Sequence, residues 1–261
     1  MKGIDVSNHN GNINFNQVKA AGIEAVYIKA TEGTTYTDSY LDTNYSNAHY
    51  AGLKTGFYHF LVGTSSPETQ ATSFYNLIKD KANDLIPMLD VETAFDGLMD
   101  YVLRFIDKFK ELSNMPIGIY TYTGFMSNLD NRLANYPLWE ANYNDDPWNL
   151  ASNFFTNRVG HQYTEEGSIG GVNTKCDVNE FNNGVLLKTT GYVVTDYLPN
   201  GYQGDNSFNG VDVNYVLQYF KDIRCYFRGN EKGVWIETQT LPIEKCYELK
   251  EVLGSWFYSI G

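Results

Sequence analysis

Along the first 135 residues, short apolar runs alternate with segments whose apolar positions recur at spacings of three and four. The short runs predict strands at 3–7, 25–30, 55–61, 86–92 and 117–122, each ending in polar residues. The spaced segments predict helices near 15–21, 38–51, 67–82, 98–113 and 125–134. The fourth helix is the clearest, because Leu98, Tyr101, Val102, Phe105, Phe109 and Leu112 fall on one face.

After residue 135 the helical spacing stops, and strand-like runs follow at 138–143, 159–163 and 176–181, joined by loops rich in Gly, Asn and Asp. A closed barrel of eight strands has an interior just filled by side chains, so five β/α units plus three further strands predict an α/β, modified TIM-like barrel over residues 1–187. Its functional site is expected at the carboxyl ends of the strands. Around residues 187–191 a new pattern begins: strand 192–197, helix 211–220, strands 224–228 and 233–239, helix 242–253 and strand 256–260. That β-α-β-β-α-β order predicts a small α+β ferredoxin-like domain over residues 188–261.

Charge narrows the partners. A formal net charge of -12 gives the chain no electrostatic reason to hold a nucleic-acid backbone. Its 21 Tyr, 15 Phe and 4 Trp offer apolar ring faces with polar edges, a surface suited to carbohydrate. Cys176, Cys225 and Cys246 are odd in number and lack paired spacing, which argues against a disulfide framework or a zinc site. Met1 to Val6 lacks the apolar stretch of a signal peptide, and no window approaches the ~20 apolar residues of a membrane span. The expectation is synthesis in a bacterial cytoplasm without a leader and without membrane insertion.

The candidate chemistry is carboxylate. Asp5 lies on strand one, Asp90 and Glu92 close strand four, and Asp177 lies on strand eight. Residues two apart on a strand share a face, so Asp90 and Glu92 both point into the barrel mouth if either does, with Val91 turned outward. Barrel closure makes strands one and eight neighbours and brings Asp5 beside Asp177. Crowded anions favour a carboxyl that keeps its proton near neutral pH, the property a general acid needs. Acids at strand ends also cap helices or pair with a lysine such as Lys29. His9 and His59 lack the tight ligand spacing of a metal site, and no metal or cofactor is expected.

The motifs Gly3-Ile4-Asp5-Val6-Ser7, Tyr27-Ile28-Lys29-Ala30-Thr31-Glu32-Gly33, Gly56-Phe57-Tyr58-His59-Phe60, Asp90-Val91-Glu92, Pro137-Leu138-Trp139-Glu140-Ala141-Asn142-Tyr143 and Cys176-Asp177-Val178-Asn179-Glu180-Phe181 occur in this order over about 180 residues. Together they resemble family 25 of the glycoside hydrolases. The resemblance implies a lysozyme, an N-acetylmuramidase that cuts the β-1,4 bond between N-acetylmuramic acid and N-acetylglucosamine in peptidoglycan. It implies Glu92 as general acid, Asp90 as the acid that stabilises the reacting sugar or orients its N-acetyl group, and Asp5 and Asp177 as flanking acids. Spacing leaves open a direct nucleophile or assistance by the substrate's acetamido group. His9-Asn10 and His161 depart from the family's usual Trp-Gln and Trp.

Substrate-contacting candidates at the rim are Tyr58, Tyr120, Trp139, Tyr143, Lys29 and Tyr163, with Tyr122 beside them. A muramidase barrel joined to a small extra domain resembles modular bacteriophage endolysins, which lyse the host once the membrane is disrupted. That resemblance makes residues 188–261 a cell-wall-binding module, with Trp235, Tyr226 and Trp256 as its candidate ligand face. A domain of about 70 residues also gains from association, which makes a homodimer an expectation. The competing readings are a non-catalytic wall-glycan-binding protein and a chitinase-like hydrolase.

Overall fold

The computed structural model describes residues 1–188, 190–198 and 210–261. Thr189, inside the expected boundary stretch, lies outside them. The chain separates into two compact units, Met1–Leu187 and Lys188–Gly261.

In unit 1 the elements follow as β1 (Lys2–Val6), α1 (Phe15–Ala20), β2 (Ala25–Glu32), β3 (Tyr36–Thr37), α2 (Leu41–Tyr50), β4 (Lys54–Phe60), α3 (Pro67–Ile78), β5 (Met88–Asp90), α4 (Leu98–Leu112), β6 (Gly118–Tyr122), β7 (Leu138–Ala141), β8 (Arg158–Gly167) and β9 (Cys176–Phe181). Eight strands form a closed barrel in the order β1-β2-β4-β5-β6-β7-β8-β9, sealed where β9 pairs with β1. Neighbours are parallel from β1 round to β8, whereas β9 runs antiparallel to both β8 and β1. β3 is a short arm folded back onto the end of β2.

Two of the barrel helices, α1 and α3, start at a side-chain cap. Ser66 accepts from the Thr69 amide and Pro67 occupies the first turn of α3. Helix α2 begins at Leu41 and not at 38, because the Asp38 carboxylate accepts the Tyr40 and Asn8 amides and turns the chain first. The fifth predicted helix is replaced by 3-10 turns at Thr123–Asn128 and Asn131–Leu133. Gly124, Asn128, Asp130 and Asn131 disfavour a regular helix there, and Asp130 caps the second turn by accepting from the Arg132 amide. The outer core, between strands and helices, includes Val102, Phe105, Ile106 and Phe109 from the buried face of α4.

The barrel interior has its own packing rule. Going round the ring, small and large residues alternate: Gly3 on β1, Tyr27 on β2, Gly56 on β4, Met88 on β5, Gly118 on β6, Trp139 on β7, Gly160 on β8 and Phe181 on β9. A Cβ at Gly3 would stand 2.5 Å from the Phe181 ring, one at Gly56 2.7 Å from Tyr27, one at Gly118 2.5 Å from the Met88 sulfur, and one at Gly160 2.6 Å from Phe181. Each glycine therefore makes room for the large side chain next to it. Tyr27, Trp139 and Phe181 meet inside, with ring centroids 4.7 Å apart for Tyr27–Trp139 and 5.6 Å for Trp139–Phe181. This layer is the floor on which the polar rim stands.

Unit 2 contains β10 (Thr190–Gly191), β11 (Val193–Thr195), α5 (Val213–Leu217), β12 (Cys225–Asn230), β13 (Gly233–Thr238), β14 (Leu241–Pro242), α6 (Ile243–Leu253) and β15 (Phe257–Ile260). Its main sheet has the order β12-β13-β11-β15 with antiparallel pairings throughout. Alternation along β13 sends Ile236 into a core shared with Val193, Val216, Leu249 and Leu253, while Trp235 and Glu237 take the opposite face.

Candidate active site

The upper end of the barrel opens into a cleft lined by Asp5, Lys29, Tyr58, Phe60, Asp90, Glu92, Tyr120, Trp139, Tyr143, Gln162, Glu165 and Asp177. All the acids expected at the rim are there. Strand pairing explains the gathering: Asp5 and Asp177 are register partners across β1 and β9, Lys29 faces Tyr58 across β2 and β4, and Asp90 faces Tyr120 across β5 and β6. The chain after β5 is held from both sides, since Leu61 N donates to Asp90 O at 3.0 Å and Val91 N donates to Tyr120 O at 2.9 Å. Thr121 Oγ1 adds a bond to Val91 O at 2.7 Å. With Val91 buried in the outer core, Asp90 and Glu92 turn to the cleft together.

The acids fall into two hydrogen-bonded pairs, Asp90 with Glu92 and Asp5 with Asp177. Burial raises Asp90 well above the ordinary carboxylate range, with the charge of Glu92 adding to it. Burial also raises Glu92, against the opposing effects of Asp90's hydrogen bond and Lys29's charge. Two neighbouring carboxyls in such a site hold one proton between them at neutral pH. In the second pair, burial carries Asp5 to about 6 despite hydrogen bonds from Asn179 and Gln162. Burial, and then the charges of Asp5 and Glu165, push Asp177 up to about 8. Lys29 bonds Glu32 at 2.6 Å and lies 5.1 Å from the centre of the Phe60 ring, so its ammonium stands at the cleft edge.

Of the expected sugar contacts, Tyr58, Tyr120, Tyr143 and Lys29 reach the cleft. Trp139 is only 1% exposed, packed on Tyr27 and Tyr120 and bonded to Asn179, so it forms the cleft floor and not an open platform. Tyr163 is not in the cleft. Gln162 points inward from β8 to Asp5, so alternation turns Tyr163 outward, against His161 and the outer core. His161 accepts the Trp148 amide at 2.9 Å and bonds Asn142 O at 2.9 Å, fastening the loop that follows β7. His59 is buried between Thr31 and Gln70, which satisfies both ring nitrogens, and its burial lowers it to about 4. It cannot serve as a metal ligand from there. Among the described residues no group of three or more His, Cys, Asp or Glu side chains is arranged to hold a metal ion.

Sequence reasoning missed Gln162, Asn179, Glu165 and Phe60. Asn179 was the most accessible to it, lying two residues beyond Asp177 on the same strand face. A second recess adjoins the cleft, lined by Glu92, Tyr122, Thr123, Gly124, Ala141, Asn142 and Tyr143. Glu92 and Tyr143 belong to both.

In unit 2, Trp235 lines a recess with Val194, Thr195, Asp196, Tyr197 and Tyr258, and Tyr226 is exposed on β12. Trp256 lies elsewhere, edge-on to Tyr219 at 5.4 Å and to Tyr215 at 6.2 Å beside the core, where it packs the helical side.

Comparison with known proteins places this geometry. Residues 4–172 match the model for glycosyl hydrolases family 25. The chain is 37% identical over 224 residues to an autolytic lysozyme of Clostridium acetobutylicum, covering 84% of this chain and 66% of that protein. It is 32% identical over 200 residues to lysozyme M1 of Streptomyces globisporus, covering 70% of this chain and 68% of that one. Among solved structures it resembles a bacterial lysozyme from Streptomyces coelicolor, with TM-score 0.63 and 31% identity, over 70% of this chain and 92% of that chain. The CTP1L endolysin gives TM-score 0.63 and 28% identity, over 70% of this chain and 66% of that chain.

Proposed function

The chain belongs to the glycosyl hydrolases of family 25, and from that premise we propose that it is a lysozyme cleaving the β-1,4 bond between N-acetylmuramic acid and N-acetylglucosamine in peptidoglycan. The observation that carries this is the cleft itself: Asp5, Asp90, Glu92 and Asp177, brought from three separate parts of the chain, share one mouth as two proton-sharing pairs. Binding alone does not call for such a cluster, whereas breaking a glycosidic bond requires both a proton donor and anions facing a developing oxocarbenium ion.

Glu92 is the acid common to the cleft and to the adjoining recess, so it stands where the bond between two sugars would pass. It delivers the proton to the glycosidic oxygen. The sugar whose anomeric carbon reacts occupies the acid-lined cleft, and the leaving sugar occupies the recess beside Tyr122 and Asn142. Asp90, which shares that proton with Glu92, is left as the anion facing the ring as the bond opens; water then adds to the anomeric carbon and gives up a proton to Glu92, which restores the pair. Lys29 and the Tyr58, Tyr120 and Tyr143 hydroxyls supply hydrogen bonds to the bound sugar.

Digestion of purified cell wall should release new reducing ends that are N-acetylmuramic acid. Free amino groups without new reducing ends would point to amide cleavage and refute the reading, and cleavage of soluble chitin oligomers in preference to wall would favour a chitinase. Glu92→Gln should lower turnover by at least about 100-fold with the fold retained; near-normal turnover would move the acid to another residue.

For the setting, we propose a modular bacteriophage endolysin, made in the host cytoplasm and reaching the wall after membrane disruption. Its likeness to the CTP1L endolysin supports this, and among the described residues no helix is long and apolar enough to cross a membrane. Unit 2 is read as a ferredoxin-like wall-binding module, supported by its strand order and by Trp235 and Tyr226 on the sheet. A homodimer through this unit remains part of the proposal, and sedimentation at several concentrations tests it.

A further inference from the structure

Asp5 is gripped on one oxygen only. Its Oδ2 accepts from Asn179 Nδ2 at 2.8 Å and from Gln162 Nε2 at 2.8 Å. The Asn179 amide is not free to turn over. The Trp139 indole N–H can only donate, and it lies 2.8 Å from Asn179 Oδ1, so the Asn179 NH₂ must face Asp5. Gln162 Oε1 receives the Tyr120 hydroxyl at 2.8 Å and the Tyr143 hydroxyl at 3.0 Å, with its NH₂ turned to Asp5. Two N–H donors occupy the lone pairs of Oδ2, and a proton has no place on that oxygen.

We infer that Gln162 and Asn179, oriented by Tyr120, Tyr143 and Trp139, are positioning residues that keep Asp5 the proton acceptor of its pair and leave Asp177 carrying the proton toward the bound sugar. The inference rests on the lysozyme reading for the identity of that sugar, but not for the location of the proton. Asp177 is the less buried partner and faces the open cleft, so its O–H is the one a substrate oxygen or acetamido group meets. The order of proton affinities agrees, with Asp5 raised to about 6 and Asp177 to about 8. Tyr143 is half exposed at the cleft wall, so a sugar that touches its hydroxyl touches the lock.

The titratable groups around the pair come from every side: Cys176 on β9, Lys29 on β2, Tyr58 on β4, Asp90 and Glu92 at the end of β5, Tyr120 on β6, Tyr143 after β7 and Glu165 on β8. The test must therefore separate the effect of the amides from this shared field. Side-chain carboxyl carbon shifts, followed by NMR through a pH titration and assigned with Asp5→Asn and Asp177→Asn, read each acid directly and need no activity. Asp177 should titrate with the higher midpoint. In Gln162→Met the Asp5 midpoint should rise by about one pH unit as a donor to its anion is lost. Tyr120→Phe, a milder change, should move it the same way by less.

Activity supplies the second arm. Asp177→Asn keeps an N–H donor in place and should retain at least about tenfold more turnover than Asp177→Ala, with KM similar in the two. Asp5 titrating above Asp177, or a Gln162→Met variant with an unmoved Asp5 midpoint, would overturn the inference. So would equal turnover in Asp177→Asn and Asp177→Ala. A wild-type chain with the expected titration order but no wall cleavage would instead refute the proposed reaction and leave the proton assignment standing.

Discussion

A buried acid has consequences for stability as well as for chemistry. Asp177 binds its proton near pH 8 in the folded chain against 3.8 for an ordinary aspartate, so between those values the folded state holds more protons than the unfolded one. Stability therefore falls as pH rises through that window. Asp177→Asn should raise the melting temperature at pH 8 by several degrees, of order ~1–3 kcal/mol, and change it little at pH 4; calorimetry at both pH values checks this, and an equal gain at both would indicate a packing effect. His59 has the opposite sign: held near 4 against 6.5, it contributes stability that is present above pH 6.5 and lost as pH falls toward 4. The four acids were legible in the sequence because their charge and strand-end positions mark them. Gln162 and Asn179 carry no charge, and their role depends on which partners their amides face, which only assembled strands decide. Tyr163 was misplaced for the same reason, since the inward phase of β8 is set by Gln162 reaching Asp5.

Among the elements, strands were easier to read than helices. Each barrel strand falls within a residue or two of a short apolar run, apart from β5, which Pro87 shortens, and β8, which continues to Gly167. The 3-10 turns after β6 eluded helical spacing because their apolar residues, Phe125, Met126, Leu129 and Leu133, keep an amphipathic rhythm while Gly and Asn deny the backbone a regular helix. The alternation of glycines and large side chains round the barrel was invisible until register aligned them. It makes a sharp expectation: Gly160→Ala places a methyl 2.6 Å from Phe181 and 2.9 Å from Trp139, both buried rings. The variant should lose about 1–3 kcal/mol of stability by denaturant titration, and because Trp139 holds Asn179, turnover should fall too. Unchanged stability would mean that the floor can yield where its packing says it cannot.

Over the whole molecule, a net charge of -12 opposes association with any wall polymer that is itself acidic. Raising salt from about 10 mM to 150 mM shortens the screening length from about 30 Å to about 8 Å, and association with intact wall should strengthen, as measured by pelleting. Weakening over that range would reveal a local positive patch that dominates the net charge. Trp235→Ala in the full chain should reduce pelleting while cleavage of short soluble glycans stays near normal; loss of both would argue against separate roles for the two units. The two-part organisation was legible from the change of pattern near residue 190, since a barrel's strand count is complete there. The barrel's seam has a further meaning for how the protein comes into being. Phe181 fits between Gly3 and Gly160, and Asp177 meets Asp5, only when the ninth strand joins the first. A ribosome must have released nearly the whole barrel before that can occur, so a half-made chain carries its early acids without the cleft that would set them to work.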